Sequence, residues 1–269
     1  MNDLIRFLKE DIGRGDITAE LTVPDVNGRA SIVCEEDAVL AGVEEAAEIF
    51  SIAGADVSSF AKDGDHVKAG TRIMSVSGPA RGLITSERTA LNFLMRMSGI
   101  ATAVSEANEI LKSAGSEAKV CGTRKTTPGF RKYEKKAVAL GGGECHRFCL
   151  DDMILIKDNH IKTCGSVRGA MEKVSKAPFQ FKIEVEVGSA EDAVTAAEMG
   201  ADIIMADNMP PEDIPALRDA VRKINPRILV EASGNITLDN VAEYGCADLI
   251  SMGSLTHSVR AVQFSMDLD

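Results

Sequence analysis

From Ala118 onward, short apolar runs alternate with helical stretches, and this rhythm limits the fold more than any other feature of the chain. "AKVCGT" (118–123), "MILIKD" (153–158), "FKIEVEV" (181–187), "DIIMADN" (202–208), "ILVEASG" (228–234) and "DLISMGS" (248–254) read as buried parallel strands. Between them, "SVRGAMEKVSK" (166–176), "SAEDAVTAAEMG" (189–200), "PEDIPALRDAVRKI" (211–224) and "TLDNVAEYG" (237–245) read as helices. Ser189, Thr237 and Asp213 or its neighbours are placed to cap N-termini, while Gly200 and Gly245 stand where helices stop. Units of about 20 to 30 residues in strand–helix–strand order are the repeat of an α/β barrel or doubly wound sheet.

The residues that end each strand carry the functional signal. Arg124 and Lys125 follow the first, Lys157 closes the second, Glu186 lies at the end of the third and Asp207 ends the fourth. Ser233-Gly234 and Gly253-Ser254 end the last two. In a parallel β/α fold these positions meet at one face, the carboxyl edge, where ligands bind. Each has a plainer reading alone: Asp207 as a helix cap, the glycines as tight turns, the cations as solubilising charge. Six successive strand ends bearing charges or glycines fit a functional rim better.

Residues 1–117 have a different texture. Strand-like "RASIVCEEDAVLAG" (29–42) and "TRIMSVSGPA" (71–80) flank a helix at 43–54 and a turn, "KDGDHVKAG" (62–70). A helical pair at 84–102 and 103–115 follows. The last segment, 258–268, alternates like a strand and is expected to return to this first domain. The expected architecture is therefore α/β: an N-terminal α+β sandwich domain (1–117, with 258–269), then an incomplete parallel α/β barrel (118–257). The turn at 62–70 resembles the hairpin of lipoyl and biotinyl carrier domains, but no lysine between Ala30 and Val76 is read as the modifiable one. A simple turn is preferred.

Composition narrows the partners. The 269-residue chain has a formal net charge of -11, which disfavours nucleic acid or anionic lipid as the main partner. A basic, glycine-rich centre, Gly122 to Ile161, can still bind a small anion inside an acidic exterior. Apolar stretches are too short to span a bilayer, and the N-terminus does not read as a signal peptide. Six cysteines without CxxC spacing suggest reduced thiols in the cytoplasm. Cys145, His146 and Cys149 form too small a set for a structural zinc site.

Taken in order, "EDIGRGDIT" (10–18), "SERTALNFLMRMSGIAT" (86–102), "GTRKTTPGFR" (122–131), "GGGECHR" (141–147), "LIKDNHI" (155–161), "EVEV" (184–187), "ADNM" (206–209), "EASGNI" (231–236) and "LTHS" (255–258) resemble the quinolinate phosphoribosyltransferases. These are the decarboxylating nicotinate-nucleotide pyrophosphorylases of NAD synthesis, and the likeness runs from about residue 10 to the C-terminus. The resemblance implies a cytoplasmic homodimer that uses quinolinate, phosphoribosyl pyrophosphate and Mg²⁺. It implies that Arg124, His146, Arg147 and Lys157 line the quinolinate pocket, that Arg88 enters from the neighbouring subunit, and that Thr123 also binds substrate. Lys125 and Lys157 would hold phosphate oxygens. Ser233, Gly234, Asn235, Met252, Gly253, Ser254 and His257 would surround the 5′-phosphate, and Glu186 and Asp207 would bind Mg²⁺, directly or through water, and ribose hydroxyls.

Three positions depart from the family pattern: Cys145 before the His-Arg pair, Ala206 before Asp207, and Lys136 at a commonly aromatic site. None removes a charged group assigned above. Rival readings are the molybdenum-uptake-associated paralogue of the same fold, a nicotinate phosphoribosyltransferase without decarboxylation, and a non-catalytic carrier or binding module.

Overall fold

The computed structural model describes residues 3–178 and 180–269. The chain divides into two compact units. The first holds the chain up to Ser105, Lys132–Gly142 and Val259–Asp269; the second holds Glu106–Arg131 and Gly143–Ser258.

The first unit opens with helices α1 (Asp3–Ile12) and α2 (Ile17–Thr22). Asp16 caps α2 by accepting the Ala19 N–H at 2.9 Å. Then come β1 (Asn27–Cys34), β2 (Ala38–Val39), α3 (Val43–Ile52), β3 (Asp56–Ser59), β4 (His66–Val67), β5 (Thr71–Pro79) and α4 (Ala80–Ser113). Helix α5 (Arg131–Leu140) and strand β12 (Phe264–Leu268) complete the unit. Its main sheet has the order β12-β1-β5-β3, antiparallel throughout. The C-terminal strand thus returns to the first unit, as its alternation suggests. Along β1, Ala30, Ile32 and Cys34 are buried, the period-two pattern of a sheet with one face on a core. Ile49 and Phe50 of α3, Ile73, Met74 and Val76 of β5, and Leu83, Leu94 and Met97 of α4 are fully buried apolar side chains of the same unit.

Three details correct the sequence reading. The expected helical pair is one continuous helix, α4. Its mid-helix hydroxyls are tertiary partners and mark no break: Ser98 Oγ accepts the Ala41 N–H (3.0 Å), and Thr102 Oγ1 accepts the Val39 N–H (2.9 Å). The turn at 62–70 contains Lys68 before Ala69, a lysine the carrier argument passes over; its Nζ is 2.7 Å from Asp37. Lys136, the departure in the basic stretch, lies 2.7, 2.9 and 2.8 Å from Glu44, Glu45 and Asp63. Asp63 also accepts the Val43 N–H at the start of α3, so this cation neutralises an acidic cluster at a helix N-terminus.

In the second unit all six expected strands form: β6 (Lys119–Gly122), β7 (Ile154–Ile156), β8 (Ile183–Val187), β9 (Ile203–Asp207), β10 (Leu229–Ser233) and β11 (Leu249–Met252). They build one parallel sheet in the order β6-β11-β10-β9-β8-β7. Strands β7 to β11 lie side by side in chain order and β6 joins back onto β11. Only the β6–β7 seam is unpaired, which makes the barrel incomplete.

Helices α6 (Asp158–Cys164), α7 (Val167–Val174), α8 (Ala190–Glu198), α9 (Ile214–Ile224, after a 3-10 turn at Pro211–Asp213) and α10 (Ser254–His257) lie between or after the strands. Ser189 caps α8 by accepting the Asp192 N–H at 3.1 Å, and Gly200 follows that helix with φ 92°. Residues 237–245 contain one 3-10 turn, Val241–Tyr244, where a full helix was expected. Thr237 is no cap: its own N–H donates to Asn240 Oδ1 (2.8 Å), a local turn that competes with helix.

Candidate active site

The carboxyl ends of the parallel strands surround a pocket of about 880 Å³. Thr123, Arg124 and Lys125 line it after β6, His146 and Arg147 before β7, Lys157 after β7, and Glu186 and Asp207 at the ends of β8 and β9. Ser233, Gly234 and Asn235 line it from β10, and Gly253, Ser254 and His257 from β11 and α10. Residues as far apart in sequence as Thr123 and His257 therefore converge as the strand-end argument requires. Two expected members do not line this pocket. Met252 is fully buried in β11, because the strand's alternation turns its side chain into the core. Arg88 lies on α4 in the first unit, largely exposed, with Glu87 3.9 Å from its guanidinium.

Local chemistry fixes the lining side chains. Lys157 and Glu186, at the ends of neighbouring strands, form an ion pair. The Lys157 N–H donates to His160 Nδ1 (2.9 Å), so the second histidine of the basic stretch anchors this lysine's backbone. Asn235 donates to Asn208 Oδ1 (2.9 Å), and Asn208 donates to Asp207 Oδ2 (2.8 Å), a chain that orients the carboxylate. Gly234 has φ 102°, and a Cβ there would sit 2.3 Å from Asn208 Oδ1, so only glycine lets these loops meet. A Cβ on Gly253 would come within 2.9 Å of Lys125 Cδ, and Thr256 Oγ1 donates to the Lys125 carbonyl (2.8 Å). Among the described residues, the non-glycine residues with positive φ are His146, Asn208 and Asn235, and all three line the pocket. Left-handed backbone of this kind costs energy and clusters where a site requires it.

Beneath the rim lies a buried charge cluster. Glu184, in the middle of β8, and Glu231, in the middle of β10, have no exposed side-chain surface. His146 Nε2 is 3.1 Å from one oxygen of each. Burial opposes charge on this imidazole, but the two carboxylates beside it, Glu184 and Glu231, raise its pKa to about 9. The Arg147 N–H, 2.8 Å from Nδ1, needs a lone pair there and so opposes a second ring proton. The neutral form of this ring therefore carries its hydrogen on Nε2, facing the two acids. Burial also raises the pKa of Glu184, against the opposing pull of the neighbouring His146. Burial and then the charge of Arg124 lower that of Arg147.

Both buried glutamates escaped the sequence reading, which took up only the strand ends. Period-two alternation offered the signal, since Glu184 shares a face with Glu186 and Glu231 with Ser233.

The model of the quinolinate phosphoribosyl transferase N-terminal domain matches residues 16–98, and that of the C-terminal domain matches residues 100–267. The chain belongs to the quinolinate phosphoribosyltransferase family. A probable nicotinate-nucleotide pyrophosphorylase [carboxylating] of Archaeoglobus fulgidus is 44% identical over 256 residues, covering 94% of this chain and 97% of the relative. The rat nicotinate-nucleotide pyrophosphorylase [carboxylating] is 40% identical, over 93% of this chain and 85% of its own. The crystal structure of NadC from Streptococcus pyogenes superposes with a TM-score of 0.91 at 38% identity, covering 99% of this chain and 95% of that one.

Membership in the quinolinate phosphoribosyltransferase family gives the pocket's charge pattern a chemical reading. Glu186 and Asp207 end adjacent strands and offer hard oxygen donors, a set suited to Mg²⁺ shared with phosphate oxygens. The cations that share the pocket suit carboxylates and phosphates, with the guanidiniums able to bind in bidentate fashion.

Proposed function

We propose that this pocket transfers the phosphoribosyl group of phosphoribosyl pyrophosphate to quinolinate with loss of CO₂, yielding nicotinate mononucleotide and pyrophosphate. The observation that carries the reading is the convergence of Arg124, Lys125, Arg147 and Lys157 on one pocket that also holds Glu186 and Asp207. No protein nucleophile is needed. The pyridine nitrogen of quinolinate forms a bond to the anomeric carbon as the bond to pyrophosphate breaks. Positive charge builds on the ribose, where Glu186 and Asp207 stabilise it, while lysine and arginine side chains take the charge of the leaving group.

With the ring nitrogen alkylated, the adjacent carboxylate leaves as CO₂ and its bonding pair stays on the ring carbon, stabilised by the neighbouring cation. A proton then fills that position. His146 is not assigned as its donor, because both ring nitrogens are turned to protein partners. Mg²⁺ held by Glu186 and Asp207, directly or through water, would neutralise charge on the pyrophosphate. Gly234, Asn235, Gly253 and Ser254 let backbone N–H groups approach the 5′-phosphate, with Ser233 and His257 beside them.

The working form under this proposal is a homodimer in which Arg88 of one copy completes the pocket of the other; its exposure on α4 leaves it free for that role. A cytoplasmic setting suits the six free cysteines. No helix among the described residues is long and apolar enough to cross a membrane.

One assay tests the activity: purified protein with quinolinate, phosphoribosyl pyrophosphate and Mg²⁺, followed for CO₂ and nicotinate mononucleotide. Nicotinate in place of quinolinate should give little product. No turnover, with a lysine adduct in the intact mass, would favour the carrier reading; no turnover without one would favour the molybdenum-associated paralogue. For the dimer, a mixture of Arg88→Ala and Arg124→Ala chains should regain activity that neither has alone, because one composite site is intact. No recovery after subunit exchange removes the cross-subunit role.

A further inference from the structure

We infer that Glu184 and Glu231, buried at the floor of the pocket with Glu231 in its lining, are positioning residues that set the pocket's affinity for quinolinate through His146 and Arg147. The inference rests on the proposed activity and adds the residues that prepare the site for a dianion.

Two carboxylates with no exposed surface in the middle of parallel strands oppose stability, since apolar residues would fill those positions at lower cost. Their hydrogen bonding is also incomplete: both oxygens of Glu184 and Oε1 of Glu231 are buried without a hydrogen-bond partner. His146 Nε2 lies equally near both acids, but it carries a single hydrogen, which bonds Glu231. Glu184 Oε2 stands 3.1 Å from the same nitrogen.

The opposite side of the ring takes up the next link. His146 Nδ1 accepts the N–H of Arg147 (2.8 Å), and His146 itself adopts φ 48°. The ring therefore fixes the backbone from which the Arg147 side chain enters the pocket. Arg147 is nearly buried and close enough to Arg124 for the two cations to disfavour one another, while Glu184 offsets that repulsion. Arg124 Nε is likewise buried without a partner. The two strand-centre acids thus hold mutually repelling guanidiniums together in readiness for an anion with two carboxylates.

The test compares Glu231→Gln, Glu184→Gln and Glu231→Ala with the wild-type protein, measuring kcat and KM for each substrate and quinolinate binding by calorimetry. Each glutamine variant should raise KM for quinolinate about tenfold, with KM for phosphoribosyl pyrophosphate changed less than about twofold. Glu231→Ala should lose more than Glu231→Gln, because an amide oxygen still accepts from Nε2. A purely structural role would instead lower active enzyme or shift both KM values together. Folded glutamine variants with unchanged quinolinate KM, or with both KM values raised alike, overturn the inference. Should the alanine variant not fold, the isosteric glutamines still decide it. A wild-type protein inactive on quinolinate overturns the activity reading itself and is seen separately in the control.

Discussion

The two units treat buried charge in opposite ways. In the first, buried charges are paired: Arg96 Nη2 lies 2.7 Å from the fully buried Glu134, and Lys136 sits among Glu44, Glu45 and Asp63, so that Asp63 Oδ2, although without a hydrogen bond, has a cation 2.8 Å away. In the second, Arg124, Glu184 and Glu231 keep buried atoms without hydrogen-bond partners, and cations crowd beside one another. Strain is distributed the same way, since every non-glycine residue with positive φ among those described belongs to the second unit's pocket. A region that only has to be stable closes its polar groups on themselves. One that has to receive an anion leaves them poised.

That contrast can be broken by substitution. The largest effect is expected for Arg124→Ala, which should lower kcat/KM for quinolinate by at least about 100-fold with little change in thermal midpoint. Steady-state kinetics beside a melting curve checks it; a fall in stability of equal weight would erase the distinction between the units. Gly234→Ala comes next. Its Cβ would collide with Asn208 and its φ is unfavourable, so it should cost roughly tenfold in kcat/KM and about 1–2 kcal/mol of stability.

The first unit should respond in the reverse sense. Arg96→Leu removes the guanidinium paired with the buried Glu134 and should destabilise by about 2 kcal/mol, reduced from a fully buried pair because Arg96 is partly exposed. Chemical denaturation reads this, and both KM values of the remaining folded enzyme should stay unchanged. Lys136→Met should have the smallest effect, about 1 kcal/mol, as Glu44 is well solvated while Glu45 and Asp63 are not. A change in quinolinate KM in either variant would remove the division of labour.

How much of this was legible in the sequence depended on whether local pattern and tertiary demand agreed. The six parallel strands were readable because their apolar bodies and polar ends point to the same fold. The convergence at their carboxyl ends followed from topology. Helix α5 was missed because its buried face includes Glu134 and Lys135, which disguise the apolar period of Tyr133, Ala137 and Val138. Edge strand β3, "DVSS", has almost no buried side chain to announce it. In α4, Ser98 and Thr102 lower local helix propensity while bonding the backbone of residues 39–41, a reason no single segment could display. The buried glutamates were hidden by convention: a charge within an apolar strand is usually assigned to its edge.

The return of β12 to pair with β1 has a consequence for biosynthesis. Strand β1 is made well over 200 residues before its antiparallel neighbour, residues 264–268. A ribosome releasing this chain must complete the whole parallel barrel before the earlier sheet can acquire its last strand. Until then β1 presents an open hydrogen-bonding edge, and a nascent chain stalled late in synthesis would be most prone to aggregate there.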